Sequence, residues 1–339
     1  MKQIYPDGAV ILAPIAGHSD LPMRLSARRH GCRFAFTEMV DAGSLVYQTT
    51  KSLKLLERDP AESFLGVQLV GSDLPMLRKA TELLNDREFD VLDFNLGCPA
   101  PKVAKKGEGI TLALKRPDDA LRALETLVKY SRFPVSVKTR IQSETDAEPT
   151  VRFCRRLEDA GASALTLHGR VMKVFYSGPV FYRIISEVRE NLGIQVIANG
   201  GGLTKEAYGT LLRESGCSCG MIARGALGNP WIFSEIQENA APPTVREFAS
   251  ELETHVHAMM EFYGVECAMR ICRKTILEYL RGRGFPAQLR AGISFLRTPE
   301  RFETLMMEIR RGPSQRYWEF IALHPEEAER KLTPEKRPH

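Results

Sequence analysis

The chain has 339 residues, 43% of them hydrophobic and 26% charged, and a formal net charge of +5. That marks an ordinary soluble protein long enough for one large domain and a smaller one, and only mildly basic for a nucleic-acid binder. No apolar stretch approaches the ~20 residues of a membrane span, and the start lacks the apolar region of a signal peptide, so a cytoplasmic protein without membrane contacts is expected.

In chain order, apolar runs alternate with amphipathic stretches. A strand is predicted at Val10–Pro14, then a helix over Asp20–His30, a strand at Phe34–Glu38 and a less regular segment over Ala42–Leu56. Strands at Phe64–Val70 and Val91–Asn95 flank a helix over Asp73–Asn85. Helices over Pro117–Tyr130, Pro149–Ala160, Pro179–Asn191 and Lys205–Glu214 then alternate with strands at Val135–Arg140, Ala164–His168, Gln195–Asn199 and Gly220–Ala223. Eight strands, most followed by a helix, predict an α/β fold, a parallel eight-stranded (β/α)8 TIM barrel.

The pattern changes after Asn239-Ala240-Ala241-Pro242-Pro243. Helical periodicity continues through Val245–Tyr263, Glu266–Arg281, Gln288–Leu296 and Pro299–Arg310 without a further strand, which predicts a smaller C-terminal helical domain. The boundaries are therefore 1–238 for the barrel and 244–324 for the helical domain, with 325–339 a charged tail expected to fray or stay disordered. Between Gly264 and Arg316 eleven basic residues face five acidic ones, so the basic excess sits in the helical domain.

Barrel active sites gather at the C-terminal strand ends. Those ends carry Ala13-Pro14, Glu38, Gln68, Asn95 with Cys98, Lys138 with Arg140, His168 with Arg170, Asn199-Gly200-Gly201-Gly202 and Ala223-Arg224-Gly225. Alone, a strand-end Lys, His or Asn usually bonds a loop, and a glycine run is only a turn. Together, an amide, a cation, an imidazole and two Gly-rich turns after strands seven and eight suit a phosphorylated heterocycle, and flavin mononucleotide (FMN) fits the set. Cys98, between a tight turn and the loop carrying Lys102, Lys105 and Lys106, is expected to be exposed, with a pKa lowered by those cations. Acid and nucleophile both remain open for it. The seven cysteines are scattered, so neither a disulfide framework nor a metal site is read.

Asn95-Leu96-Gly97-Cys98-Pro99, followed by Lys102, Val103, Gly107 and Gly109, resembles the signature of the tRNA-dihydrouridine synthases. The likeness extends through Thr37-Glu38-Met39-Val40, Val137-Lys138-Thr139-Arg140, His168-Gly169-Arg170, Ile197-Ala198-Asn199-Gly200, and Met221 to Ala226, and reaches the helical domain at Arg273-Lys274. It implies a flavoenzyme that reduces the C5–C6 bond of uridine in tRNA with electrons from NADPH, joined to a helical RNA-binding domain; separately, a monomer is expected. Carried across, Cys98 is the acid for C5, Asn95 and Tyr176 hold the uracil, and Arg140 and Arg170 lie close by. Pro14, Ile15, Ala16, Gln68, Lys138, His168, Asn199, Gly200, Gly201, Ala223 and Arg224 contact the flavin.

The chain departs from the family pattern at Met172 and Val174, where Arg and Gln are usual, at Gly201 for Asp, at Ala223 for Gly, at Ile15 for Met, and at Thr275 for His. Two alternatives share the cofactor residues: an FMN barrel acting on a small molecule, and an RNA-binding paralogue with altered catalysis.

Overall fold

The computed structural model describes residues 3–324 and 330–334. Eight parallel strands close into a barrel in sequence order: β1 Val10–Leu12, β2 Phe34–Asp41, β3 Leu65–Val70, β4 Val91–Leu96, β5 Val135–Arg140, β6 Ala164–His168, β7 Gln195–Asn199 and β8 Gly220–Ile222. The register sets Gln68 beside Asp93, Asp93 beside Ser136, Asn95 beside Lys138, and His168 beside Asn199. With a side-chain period of two, each strand turns one set of residues into the barrel. That set is apolar low down, with Ile11, Phe36, Val91, Ala164, Ile197 and Met221 in one buried cluster, and polar toward the C-terminal ends. Gly66 leaves room for the Phe36 ring, since a Cβ there would lie 2.3 Å from it.

The helices are α1 Leu21–Arg29, α2 Ala42–Val46, α3 Thr50–Leu55, α4 Leu74–Asn85, α5 Pro101–Lys105, α6 Ile110–Lys115, α7 Pro117–Tyr130, α8 Glu148–Asp159, α9 Tyr182–Asn191, α10 Lys205–Ser215 and α11 Ile232–Glu238. Their sequences explain their ends. Asp73 caps α4 by accepting from the Met76 N–H, and α7 starts on Pro117 with Asp118 and Asp119 in its first turn. Ala120, Ala123, Leu124 and Leu127 form the buried stripe of α7, where a Leu→Ala change would cost about 2–5 kcal/mol. The segment after Cys98, expected as a loop, contains α5 and α6, two turns too short for periodicity to reveal.

The chain divides into two compact units. One comprises residues 3–20, 33–202 and 206–223, and the other 21–32, 203–205 and 224 onward. The second unit thus begins ahead of the Asn239–Pro243 linker that ended the barrel in the sequence, and it also takes in α1. Its further helices are α12 Val245–Tyr263, α13 Val265–Leu280, α14 Ala287–Gly292, α15 Pro299–Arg310 and α16 Gln315–Leu323. The Thr244 side chain and Glu247 cap α12 reciprocally. Phe248, Tyr279 and Phe302 are fully buried in this unit's core, along with Arg283, whose guanidinium lies 5.1 Å from the Phe248 ring centroid and donates to the carbonyls of Gly228 and Tyr279 and to Asn229 Oδ1. Burial pulls the Arg283 pKa down to about 9. No described helix is long and apolar enough to cross a membrane.

Part of the tail read as disordered is docked. Arg330 donates to the Glu278 carbonyl, Leu332 is buried, and the Thr333 N–H donates to Pro243 O. A single leucine among charges leaves too little signal for composition to detect. Residues 325–329 and 335–339 lie outside the described residues.

Candidate active site

The inward polar residues of β3, β4 and β5 form one hydrogen-bonded chain. Ser136 Oγ donates to Asp93 Oδ1 at 2.6 Å and Gln68 Nε2 to Asp93 Oδ2 at 2.7 Å. Asn95 Nδ2 donates to Gln68 Oε1 at 2.8 Å, and Asn95 Oδ1 accepts the N–H groups of Gly97 and Cys98 at 3.1 and 2.9 Å. Asp93 is buried at 1% exposure, and burial pushes its pKa up to about 6 against the opposing pull of Gln68, Ser136 and Lys138.

Cys98 sits at the end of this chain, half-buried. Burial raises its thiol pKa and outweighs the lowering by the Ala100 N–H, Arg140 and Lys138. The lysine-rich loop does not have the expected effect. Lys102, Lys105 and Lys106 are exposed, Lys106 is paired with Asp41 at 2.5 Å, and the cations that act on the thiol come from β5. The thiol therefore stays protonated at neutral pH.

Lys138 Nζ donates to Asn199 Oδ1 at 2.8 Å, and Asn199 Nδ2 donates to the Met221 carbonyl at 2.8 Å, which links β5, β7 and β8. Burial first, then Arg140, lowers the Lys138 pKa to about 8, while Asp93 and Cys98 oppose the shift. Beyond β7, Gly200 and Gly201 have φ of +116° and +79°. A Cβ on Gly200 would lie 2.8 Å from the His168 ring and one on Gly201 2.8 Å from the Tyr182 hydroxyl, so the turn presents bare backbone. Ala223 is half-buried beyond β8, and Arg224 is exposed in the 3-10 turn that follows. After β1, the Ile15 N–H donates to Ser19 Oγ and the Gly17 N–H to Glu38 Oε2, which fixes Pro14, Ile15 and Ala16.

The two arginines expected close to the substrate donate to backbone carbonyls. Arg140 donates from Nε to Gly97 O at 2.9 Å and from Nη1 to Phe175 O at 2.6 Å. Arg170 donates from Nε and Nη2 to Gly178 O at 3.0 and 2.9 Å. Both side chains are buried and tie the 172–178 loop to the strand ends. The loop departs from ordinary backbone at Phe175, with φ +51° and ψ −96°. Tyr176 is 53% exposed, its ring stacked on His168 at 6.4 Å and facing the Arg140 guanidinium at 5.3 Å. Met172 and Val174 form the short 3-10 turn before it, half-buried.

The sequence reading missed Asp93, although a carboxylate inside an apolar strand two residues before Asn95 was a visible signal. It also passed over Glu108, which is buried, with Oε2 lacking a hydrogen-bond partner and its pKa raised by burial. Of the eleven C-terminal cations, all but the buried Arg283 and the half-buried Arg273 are exposed.

Residues 11–310 match the family profile described as dihydrouridine synthase (Dus). The tRNA-dihydrouridine synthase B of Vibrio parahaemolyticus is 36% identical over 279 residues, covering 80% of this chain and 86% of that protein. The tRNA-dihydrouridine synthase B of Vibrio vulnificus is 34% identical over 278 residues, with the same coverage, and a probable tRNA-dihydrouridine synthase of Rhizobium leguminosarum is 35% identical over 293 residues, covering 86% and 91%. Among solved structures, 6-hydroxypseudooxynicotine amine oxidase from Pseudomonas geniculata superposes with a TM-score of 0.51 at 12% identity, over 68% of this chain and 46% of that one, a likeness of fold.

Proposed function

The chain belongs to the dihydrouridine synthase family, and from that membership we propose that it reduces the C5–C6 double bond of uridine in tRNA to dihydrouridine, with FMN bound in the barrel, NADPH as electron donor and Cys98 as the acid. The observation that carries the acid role is the Cys98 thiol, anchored through its N–H by Asn95 and held protonated by burial.

The residues at the strand ends fit the flavin. The bare turn at Gly200 and Gly201, with Ala223 after the neighbouring strand, suits a phosphate, because a side chain on either glycine would collide with His168 or Tyr182. Gln68 retains one N–H and one lone pair for a pyrimidine edge, and Lys138 supplies positive charge for an anionic ring. Pro14, Ile15, Ala16 and His168 complete the contacts.

FMN held there would, once reduced, supply hydride chemistry for uracil C6. Cys98 donates its Sγ proton to C5, leaving a thiolate that Lys138 and Arg140 stabilise. The second Nδ2 hydrogen of Asn95 and the exposed ring of Tyr176 orient a uracil that has left its stack. Arg140 and Arg170 act through the 172–178 loop. The helical unit binds RNA phosphates through exposed cations such as Arg270, Lys274, Arg290 and Arg297, so affinity should fall steeply with salt.

Nucleoside mass spectrometry of separated tRNA and ribosomal RNA tests the reading, in cells with and without the gene and with Cys98→Ala. Loss of dihydrouridine from tRNA, unrescued by the variant, is expected. Unchanged tRNA in the absence of the gene and of any paralogue overturns it.

A further inference from the structure

We propose that Asp93 is a positioning residue for Cys98, acting through the side-chain amides of Gln68 and Asn95. The role rests on the reading of Cys98 as the acid, but the chain of contacts stands on its own geometry.

An ionised carboxylate can only accept hydrogen bonds. Asp93 takes one from Ser136 Oγ and one from Gln68 Nε2, so Gln68 must turn its Oε1 away from β4's carboxylate and toward Asn95. Asn95 then has to offer Nδ2, at 2.8 Å, which leaves its Oδ1 facing the backbone N–H groups of Gly97 and Cys98. Either amide rotated by half a turn would set donor against donor or acceptor against acceptor. The carboxylate thus fixes the sense of two groups whose shapes barely distinguish their two orientations.

The register makes this relay possible, since Gln68, Asp93 and Ser136 lie side by side on adjacent strands. Asp93 and Gln68 are each 1% exposed and Ser136 2%, so water is a poor substitute partner. Asp93 is not itself among the groups proposed to touch flavin or uracil; it bonds directly to Gln68 and reaches Asn95 and the Cys98 turn only through that amide.

The test is a double-mutant cycle on the purified full-length protein. Its readout is the rate of Cys98 alkylation by iodoacetamide, followed by mass spectrometry of the Cys98 peptide, with circular dichroism as the check on folding. Asp93→Leu, unable to accept, should speed alkylation about tenfold by releasing the Cys98 turn. Asp93→Asn should stay near the parent rate, because its oxygen can still accept from Gln68 while its amide donates to Ser136. In a Gln68→Met background, Asp93→Leu should add less than about a twofold change, because the relay is already cut.

A parent-like rate in folded Asp93→Leu, or a full additional effect in the Gln68→Met background, would overturn the proposal and leave Asp93 a structural residue. If Asp93→Leu does not fold, Asp93→Ala carries the same cycle. Failure of the uridine-reductase reading would appear separately, as a parent protein that forms no dihydrouridine, since alkylation requires neither substrate nor turnover.

Discussion

Glu251, on α12, should hold the segment 21–30 in place through a buried carboxylate whose contribution disappears in acid. It is 7% exposed and accepts from Ser26 Oγ at 2.7 Å, Arg29 Nη2 at 2.6 Å and Nε at 3.0 Å, and it pairs with His30 Nε2 at 3.1 Å. Burial alone would raise its pKa, but the hydrogen bonds from His30, Arg29 and Ser26 prevail and bring it from 4.5 down to about 2. That shift is a factor of about 300 in proton affinity, or about 3 kcal/mol, which screening at the 36%-exposed Arg29 trims to about 2 kcal/mol. Because the folded pKa is depressed, the stabilisation is full above pH 4.5 and is lost as pH falls toward 2. Glu251→Gln should therefore be about 2 kcal/mol less stable than the parent at pH 7, and the gap should shrink by about half near pH 3. The assay is urea unfolding followed by tryptophan fluorescence, since both tryptophans, Trp231 and Trp318, belong to this unit. A gap that stays constant from pH 7 to pH 3, or no gap at pH 7, would refute the reasoning.

The protonated Cys98 thiol predicts that uridine reduction by pre-reduced enzyme does not rise with pH and declines in alkali, where Lys138, with its pKa at about 8, and the thiol lose their protons, whereas a thiolate nucleophile would speed up with pH; stopped-flow rates decide. Cys98→Ala should keep flavin and RNA binding but lose at least ~100-fold in turnover, measured with saturating tRNA. Gly200→Ala, which brings a Cβ to 2.8 Å from His168 at φ +116°, should cost about 1–3 kcal/mol in thermal denaturation and weaken flavin binding, read by flavin fluorescence. Arg140→Leu removes a donor from both Gly97 and Phe175 carbonyls, so hydrogen exchange should rise by about tenfold in both the 97–98 turn and the 172–178 loop; protection retained in the loop would contradict the clamp.

The barrel was legible because the strands are short, mainly apolar runs, five of which end in the sequence on a polar residue (Glu38, Asn95, Arg140, His168 and Asn199), and the amphipathic helices between them have their own period. The candidate residues were legible for the same reason, since a strand end is visible in one dimension. Hydrogen-bond partners are not. The resemblance sets Arg140 and Arg170 close to the uracil, but no local pattern could show that each donates to a carbonyl of the 172–178 loop, Phe175 O at 35 residues' distance along the chain and Gly178 O at 8. Short turns such as α5 and α6 left no periodic trace either.

What the sequence determined by itself is the order of the elements, the parallel closure and the set of polar side chains available at the strand ends, because these follow from local pattern and a side-chain period of two. What only the tertiary structure decided is how those side chains pair and how they titrate. Asp93 heads the amide relay because register puts Gln68 and Ser136 on either side of it. Cys98 remains a thiol because desolvation, which depends on everything packed around it, outweighs the charge of its neighbours.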